Sequence, residues 1–406
     1  MQVYINLFHQ RNFSLMMFAD AVSVLGNQIG WVALLWFAMV TVKHPADMGL
    51  LALAFGVPGV FLGPVVGNVL DTVSHKAALL TANLLLGVVF MFIPLLYALH
   101  ALSMFVLLML VLLVGGISSF TTVGWMVLLP NLVNDRELGS ANAVGETVWN
   151  AAMLLGPLLS GLMIAKWGAQ VAVLFDGVSF WLAAVFIAFI RYTPSVNELS
   201  GMTTRQGSFW QDTWSGLKLL YEMQGVWWIT LAALAINLAE GQLEVSLPLL
   251  THREFSMSAI VLGSFWGVYF GLSLLGAVIA GLLRLKNQGQ AFVMSMAFVG
   301  WGLSFVPLFY LKSELVVYMC MAFSGFLFGG YPLLARTAVQ KMVPKNYHGR
   351  IMGIRGSLIA VGPPIGAYMG GLLGNWVSAS NAIGMTGVAV AAIGVVLLTR
   401  RGFREI

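Results

Sequence analysis

The sequence predicts an all-α polytopic membrane protein, with twelve transmembrane helices arranged as two pseudo-symmetric six-helix bundles. Three observations predict it. Apolar runs of about 20 residues, the length that crosses a bilayer, follow one another along almost the whole chain. Of the 406 residues, 59% are hydrophobic and only 9% are charged, and the mean hydropathy is +0.90. A soluble domain carries about 25% charged residues, so the solvent for most of this chain is lipid. Finally, the basic residues fall in every second loop, the asymmetry that fixes orientation across a membrane.

The spans are expected at Phe13–Thr41, Met48–Leu70, Ala77–Ala98, Ser103–Leu129, Ala141–Lys166, Val171–Ile190, Trp227–Leu250, Ala259–Leu283, Gln290–Leu311, Leu315–Val339, Arg350–Leu373 and Ser378–Thr399. The first run is too long for the apolar core of a cleaved leader and no small-residue cleavage site follows it, so it is expected to stay as an anchor. One set of loops carries Arg11, Lys76, Arg136, Arg191, Arg205, Arg284, Lys341 and Arg401 among others. The alternate loops carry only Lys43, Lys166, Arg253 and Lys312. Both termini are therefore expected on the cytoplasmic side of a bacterial plasma membrane, which an even number of spans requires.

The longest polar stretch, Arg191 to Gln211, splits the chain into halves. Behind it Phe209, Trp210, Trp214, Leu217, Leu220 and Tyr221 recur at near-helical spacing, which reads as an amphipathic helix on the membrane surface. The expected organisation is one bundle over 1–190, a linker with that helix over 191–224, and a second bundle over 225–406. A shift of about 210 residues lays Arg136-Glu-Leu-Gly139 on Asn346-Tyr-His-Gly349, Gly156 on Gly366 and Gly161 on Gly371; internal repeats of this kind are a building rule of secondary transporters.

Several function classes drop out. The net charge of +5 is spread over loops and reads as contact with anionic lipid headgroups, not nucleic acid. The six histidines fall at span ends without metal-ligand spacing, and the single Cys320 has no partner, so no metal site and no cofactor are expected. No metalloprotease helix motif, nucleophile elbow or nucleotide loop is present, which argues against an enzyme.

Four motifs carry chemistry. Gly67-Asn-Val-Leu-Asp71-Thr-Val-Ser-His75-Lys76 lies between the second and third spans. The fifth span holds Ala152, Gly156-Pro157, Ser160 and Gly161, small residues that let two helices approach closely. Asp176 with Ser179-Phe180 marks the sixth span, and Gln340-Lys-Met-Val-Pro344 through Gly349-Arg350 precedes the eleventh. In order and spacing these resemble the major facilitator superfamily, in its twelve-span drug:proton antiporter branch, which includes macrolide-efflux pumps and the enterobactin exporter. The resemblance runs from Asn12 to Leu373. In the family's signature loop Gly67, Asp71 and Lys76 match, while Thr72, Ser74 and His75 depart from it. The fourth span also lacks the Arg that many proton-coupled members carry. The resemblance implies the major facilitator fold and alternating access by a monomer. It implies a proton gradient as the energy source, and a small amphiphilic, drug- or macrolide-like molecule, exported, as the partner besides the lipid.

Charges inside spans are costly, about 2.5–3.5 kcal/mol each on insertion scales, and so mark a pathway. Asp20, Ser23 and Asn27 share one face of the first span; Asn237, Glu240 and Glu244 share one face of the seventh. In the family's fold these two spans are symmetry mates that line the cavity. Glu240 and Glu244 are one turn apart, and two such carboxylates cannot both ionise cheaply in an apolar site. Asp20, Asn27, Asn237, Glu240 and Glu244 are therefore the expected proton and substrate pathway. Glu146 and Asp176 are as consistent with capping or a structural ion pair as with function, and Arg336 and Arg355 with neutralising Glu146 or Asp71 or with an inner gate. Trp31, Trp36, Trp149, Trp266, Tyr269 and Trp301, with 22 methionines, suit an adaptable apolar pocket but also any membrane core. A siderophore exporter and a lysophospholipid flippase of related fold fit the same motifs.

Overall fold

The structure is a computed structural model that describes residues 2–41, 44–70, 73–134, 137–191, 209–282, 287–344, 347–400 and 403. Within them, twelve helices are long and apolar enough to cross a membrane. They are Arg11–Thr41, Pro45–Leu62, His75–Ala98, Met104–Asn131, Leu138–Trp167, Ala169–Ala188, Gln224–Glu254, Ala259–Leu282, Gly289–Phe309, Glu314–Met342, Ile351–Leu373 and Ala379–Thr399. Only helices bond every backbone group within the segment, which is why long apolar runs in lipid take this form. A short helix, Gln2–His9, precedes the first span, and the helix Phe209–Glu222 precedes the seventh.

Local signals set the ends. Ser103 caps the fourth span, its Oγ accepting from the Val106 N–H at 3.3 Å, and Ser378 caps the twelfth through Asn381 N–H at 3.4 Å. Gly168, at φ +88°, turns the fifth span directly into the sixth, a conformation that costs glycine little. The eleventh span, expected as one helix, consists of His348–Ala360 and Gly362–Leu373 with a break at Val361. Pro363 and Pro364 follow the break and have no N–H to continue the ladder.

The chain divides into two compact units: Met1–Val42 with Ala54–Thr204 and Ser258–Gly263, and Lys43–Leu53 with Arg205–Met257 and Ser264–Ile406. In the first unit the first span packs against the fifth and sixth, and the third against the fourth and sixth. Its helices share a buried apolar cluster with Phe13, Met16, Met17, Leu79, Leu128 and Ile187 among its members. In the second unit the seventh span packs against the eleventh and twelfth, and the ninth against the tenth and twelfth. The first and seventh spans are the most enclosed, with 61% and 56% of their apolar windows buried against 28% for the second, fourth and eighth. These two also carry the polar stripes, whose side chains are half-buried.

Candidate functional site

The seventh span owes its position to glycines. A Cβ on Gly366 would overlap the Leu238 carbonyl, and one on Gly241 the Pro363 carbonyl. The seventh and eleventh spans thus touch backbone to backbone, the approach that small residues permit. Leu238 lies between Asn237 and Glu240, so this contact sets where both polar side chains start. Asn237 is half-buried, and its Nδ2 donates to the Ala233 carbonyl at 2.8 Å. Glu240 Oε1 accepts from the Tyr269 hydroxyl at 2.8 Å, and that hydroxyl oxygen in turn accepts from Trp301 Nε1 at 3.3 Å. The donor chain therefore runs from the ninth span through the eighth to the seventh. Glu244 lies close enough for its charge to repel that of Glu240.

Tyr269 and Trp301 are 0% and 1% exposed. Tyr269 sits edge-on to Trp266 and Phe270 and stacks on Phe328 at 5.8 Å. Rings this enclosed form a rigid seat for a hydroxyl and present no open wall to a ligand. The donor function of Tyr269 toward Glu240 is what the sequence reading did not find. The signal available was a lone Tyr on the neighbouring span, and only the register between the spans, absent from sequence, reveals the pairing.

In the first unit Asp20, Ser23 and Asn27 are half-buried, and Ser23 Oγ donates to the Asp20 carbonyl at 3.2 Å. The face of the first span that holds Gln28 and Ile29 meets the fifth span. A Cβ on Gly156 would strike Gln28 Cβ, and Ser160 Oγ donates to the Ile29 carbonyl at 2.8 Å. Gly156 with Gln28 and Gly366 with Leu238 are related by the same offset of about 210 residues, so the repeat extends to contacts as well as letters. A Cβ on Gly263 would overlap the Pro157 carbonyl, and one on Gly161 the Ala259 carbonyl.

The remaining predicted residues are dispersed. Asp176 has no exposed surface and packs on Gly26 and Gly30 of the first span. Glu146 and Arg336 are exposed, on the fifth and tenth spans. Arg355 is half-buried, with Nε unpartnered, beside Tyr331, whose hydroxyl donates to the Ile229 carbonyl at 3.1 Å. In the signature loop Gly67 lies in the helix Pro45–Leu70, while Asp71 falls outside the described residues. Lys76 Nζ donates to the carbonyls of Ala188 at 2.8 Å and Ile190 at 2.6 Å, satisfying acceptors that the end of the sixth span leaves open. Gly349 and Arg350 lie in the helix His348–Ala360, and the Arg350 side chain is outside the described set.

Two contacts tie the start of the first span down. Asn12 Nδ2 donates to the Arg191 carbonyl at 2.8 Å, and Arg191 N–H donates back to Asn12 Oδ1 at 3.0 Å. Gln10 Nε2 donates to Glu137 Oε2 at 2.9 Å, and Asn134 Nδ2 to the same oxygen at 3.1 Å. These donors, Gln10 foremost, hold the Glu137 carboxyl below the usual carboxylate range. Among the described residues no group of three or more His, Cys, Asp or Glu is placed to hold a metal ion.

Comparison with known proteins points one way. A family model described as the Major Facilitator Superfamily matches residues 16–361. The uncharacterized MFS-type transporter YfiS of Bacillus subtilis is 24% identical over 98% of this chain and 95% of its own length. Macrolide efflux protein A of Streptococcus pyogenes is 17% identical, covering 93% of each chain. The multidrug efflux pump Tap of Mycobacterium tuberculosis is 22% identical over 88% of this chain and 86% of its own. Among solved structures the nucleoside transporter NupG superposes with a TM-score of 0.69 at 13% identity over 96% of this chain and 98% of its own. A POT family transporter gives 0.68 at 14% identity over 96% of both.

Proposed function

This chain belongs to the Major Facilitator Superfamily and is a multi-pass membrane transporter, not an enzyme, and from that premise we propose that it exports a small amphiphilic molecule in exchange for protons. The observation that carries the reading is Glu240, a carboxylate inside the seventh span held by a buried hydroxyl and one turn from a second carboxylate. A charge in that position is expensive unless it is used. Binding a proton at Glu240 cancels the charge, so the conformational change carries no uncompensated carboxylate through the apolar layer. Substrate binding competes with that proton. Glu244 shares the titration, because like charges one turn apart ionise as a pair. Asp20 and Asn27 on the first span, with Asn237 on the seventh, supply the polar lining of the pathway. Both termini lie in the cytoplasm, the protein works as a monomer in a bacterial plasma membrane, and the proton gradient is its only energy source. Two relatives, a macrolide efflux protein and a multidrug efflux pump, support export of drug-like molecules.

The test is transport in proteoliposomes under an imposed pH gradient, with a parallel sodium gradient. Ethidium, a macrolide and a catecholate siderophore serve as probes, beside the Glu240→Gln/Glu244→Gln double variant. Movement of ethidium or the macrolide that follows the pH gradient, and that the double variant loses, is the expected result. Siderophore movement alone would replace the substrate class, and movement under sodium alone would replace the coupling ion. Equal transport by the double variant would remove these carboxylates from the mechanism and leave Asp20 as the coupling group.

A further inference from the structure

Asp176 lies outside the mechanism just given, and among the described residues it is the one carboxylate with no exposed surface. It sits in the middle of the sixth span, pressed onto the first span where Gly26 and Gly30 leave a groove. A Cβ on Gly30 would overlap the Asp176 carboxyl group itself, and a Cβ on Gly26 would overlap the Ser179 side chain, one turn further along. Glycine at both positions makes room for a carboxyl and a hydroxyl that nothing else in the packing requires.

Counting hydrogens shows what that carboxyl carries. Oδ2 has no hydrogen-bond partner, and Oδ1 stands 3.3 Å from Ser179 Oγ. Ser179 Oγ has a single proton, and its nearer acceptor is the Asp176 carbonyl at 2.8 Å. With that proton committed, an ionised Oδ1 would face oxygen lone pairs, and a full negative charge would be shut in an apolar layer with one oxygen bare. A proton on Oδ1 reverses this. The acid then donates to Ser179 Oγ, Ser179 donates to the carbonyl, and Oδ2 becomes a neutral carbonyl oxygen.

No neighbouring charge does the same work. Asp176 packs on Gly26 and Gly30 beside Ser179, and its neighbour Gly177 faces Gly87, Phe90 and Met91 of the third span. The titratable side chains on the helices around it are Arg11 and Asp20 on the first span, His75, Lys76 and Tyr97 on the third, and Glu146 and Lys166 on the fifth. Asp20, nearest along its helix, is six residues before Gly26, about 9 Å at 1.5 Å per residue.

We propose that Asp176 is a second proton-binding site: as the neutral acid it clamps the sixth span onto the first at Gly26 and Gly30, and its ionisation parts that helix pair. The step is a simple proton transfer. The Oδ1–H bond breaks, the proton leaves to water that enters as the groove opens, and the carboxylate is solvated there.

The clamp is tested on the full chain in detergent micelles, without substrate, by infrared difference spectroscopy of the C=O stretch that only protonated carboxylic acids show. A band at neutral pH that Asp176→Asn removes and Glu240→Gln keeps is the expected result. Ser179→Ala shifts that band, because the acid loses its acceptor, and this variant carries the test if Asp176→Asn does not fold. Raising the pH until the band bleaches should speed amide hydrogen exchange at residues 26–30 beyond the intrinsic pH effect, and Asp176→Asn should abolish that acceleration. An unchanged band in both Asp176→Asn and Ser179→Ala overturns the proposal, as does exchange that follows pH equally in Asp176→Asn. A band lost in Glu240→Gln instead assigns the proton to Glu240, which refutes this inference and leaves the reading of the seventh span intact.

Discussion

Replacing Gly366 by alanine tests whether backbone contact places Glu240. The added Cβ would lie on the Leu238 carbonyl oxygen and within 2.7 and 2.9 Å of the Leu238 C and Cα atoms. These are main-chain atoms of a packed helix, so no side chain can swing aside, and one of the two spans must move. Over-packing of this kind costs about 1–3 kcal/mol. The same exchange also gains about 0.8–1.0 kcal/mol of helix propensity, which would mask part of the cost. Gly356→Ala is the matched control. It lies in the preceding helix, a Cβ there meets nothing within 4 Å, and it collects the propensity gain alone. The difference between the two variants is therefore the clash itself. At about 2–4 °C per kcal/mol for a unit of this size, Gly366→Ala should melt about 2–12 °C below Gly356→Ala. Size-exclusion after a heating series in detergent reads this directly, and liposome transport reads the displaced carboxylate. If the two variants melt together, the close approach is not where the structure puts it, and the account of how Glu240 is positioned fails with it.

Three further outcomes follow from other contacts. Tyr269→Phe removes the donor to Glu240 and the acceptor of Trp301 Nε1, and should cost about 1.5–3 kcal/mol in detergent melting, as loss of a hydrogen bond to a charged group does; Tyr310→Phe, at a hydroxyl-bearing ring that is 83% exposed, should cost nothing measurable. Lys76→Met frees the Ala188 and Ile190 carbonyls, so amide exchange near the end of the sixth span should rise, with about 1 kcal/mol lost per hydrogen bond. Glu137 has its carboxyl held low by Gln10 and Asn134, so its contribution is complete above the ordinary glutamate value and is lost as pH falls through the depressed one. Exchange of the helix Gln2–His9 should therefore quicken only in acid, and Glu137→Gln should remove that acid dependence.

The spans were readable because lipid leaves the backbone no alternative to helix, and composition alone shows lipid to be the solvent. The polar stripes were readable for the same reason, since Asn237 and Glu240 stand out against an apolar background. Gly156 and Gly366 were visible as small residues at an internal offset, and the structure gives them equivalent partners in Gln28 and Leu238. What the sequence did not carry is register between helices. Tyr269 reads as one aromatic among many until the eighth span is set against the seventh, when it becomes the donor to Glu240. Trp266 and Trp301 suit a ligand pocket on composition, yet they are 7% and 1% exposed and serve as framework around Tyr269. Asp176 was open to several readings, because only packing shows that Gly26 and Gly30 close over it. The break at Val361 was not anticipated, although Pro363-Pro364, which has no N–H to continue a helical ladder, was its signal.

The glycines and the charges are two halves of one constraint. A carboxylate inside a membrane is tolerable only if its helix cannot roll, since a rotation of one residue, about 100° at 3.6 residues per turn, would turn it toward lipid. Large side chains resist rolling poorly, because they can change rotamer as the helix turns. Backbone-to-backbone contact resists it well, because nothing in the contact can yield. The seventh span has such contacts on both sides of Glu240, at Leu238 against Gly366 and at Gly241 against Pro363. The first span is keyed through glycine against side chains instead, with Gly26 and Gly30 on Ser179 and Asp176, and Gly156 of the fifth span on the Gln28 Cβ. The most polar spans are thus also closely keyed to their neighbours. It follows that lengthening these glycines should damage transport even where the carboxylates are untouched, and that the damage should track the angle through which the helix is turned, not the volume added.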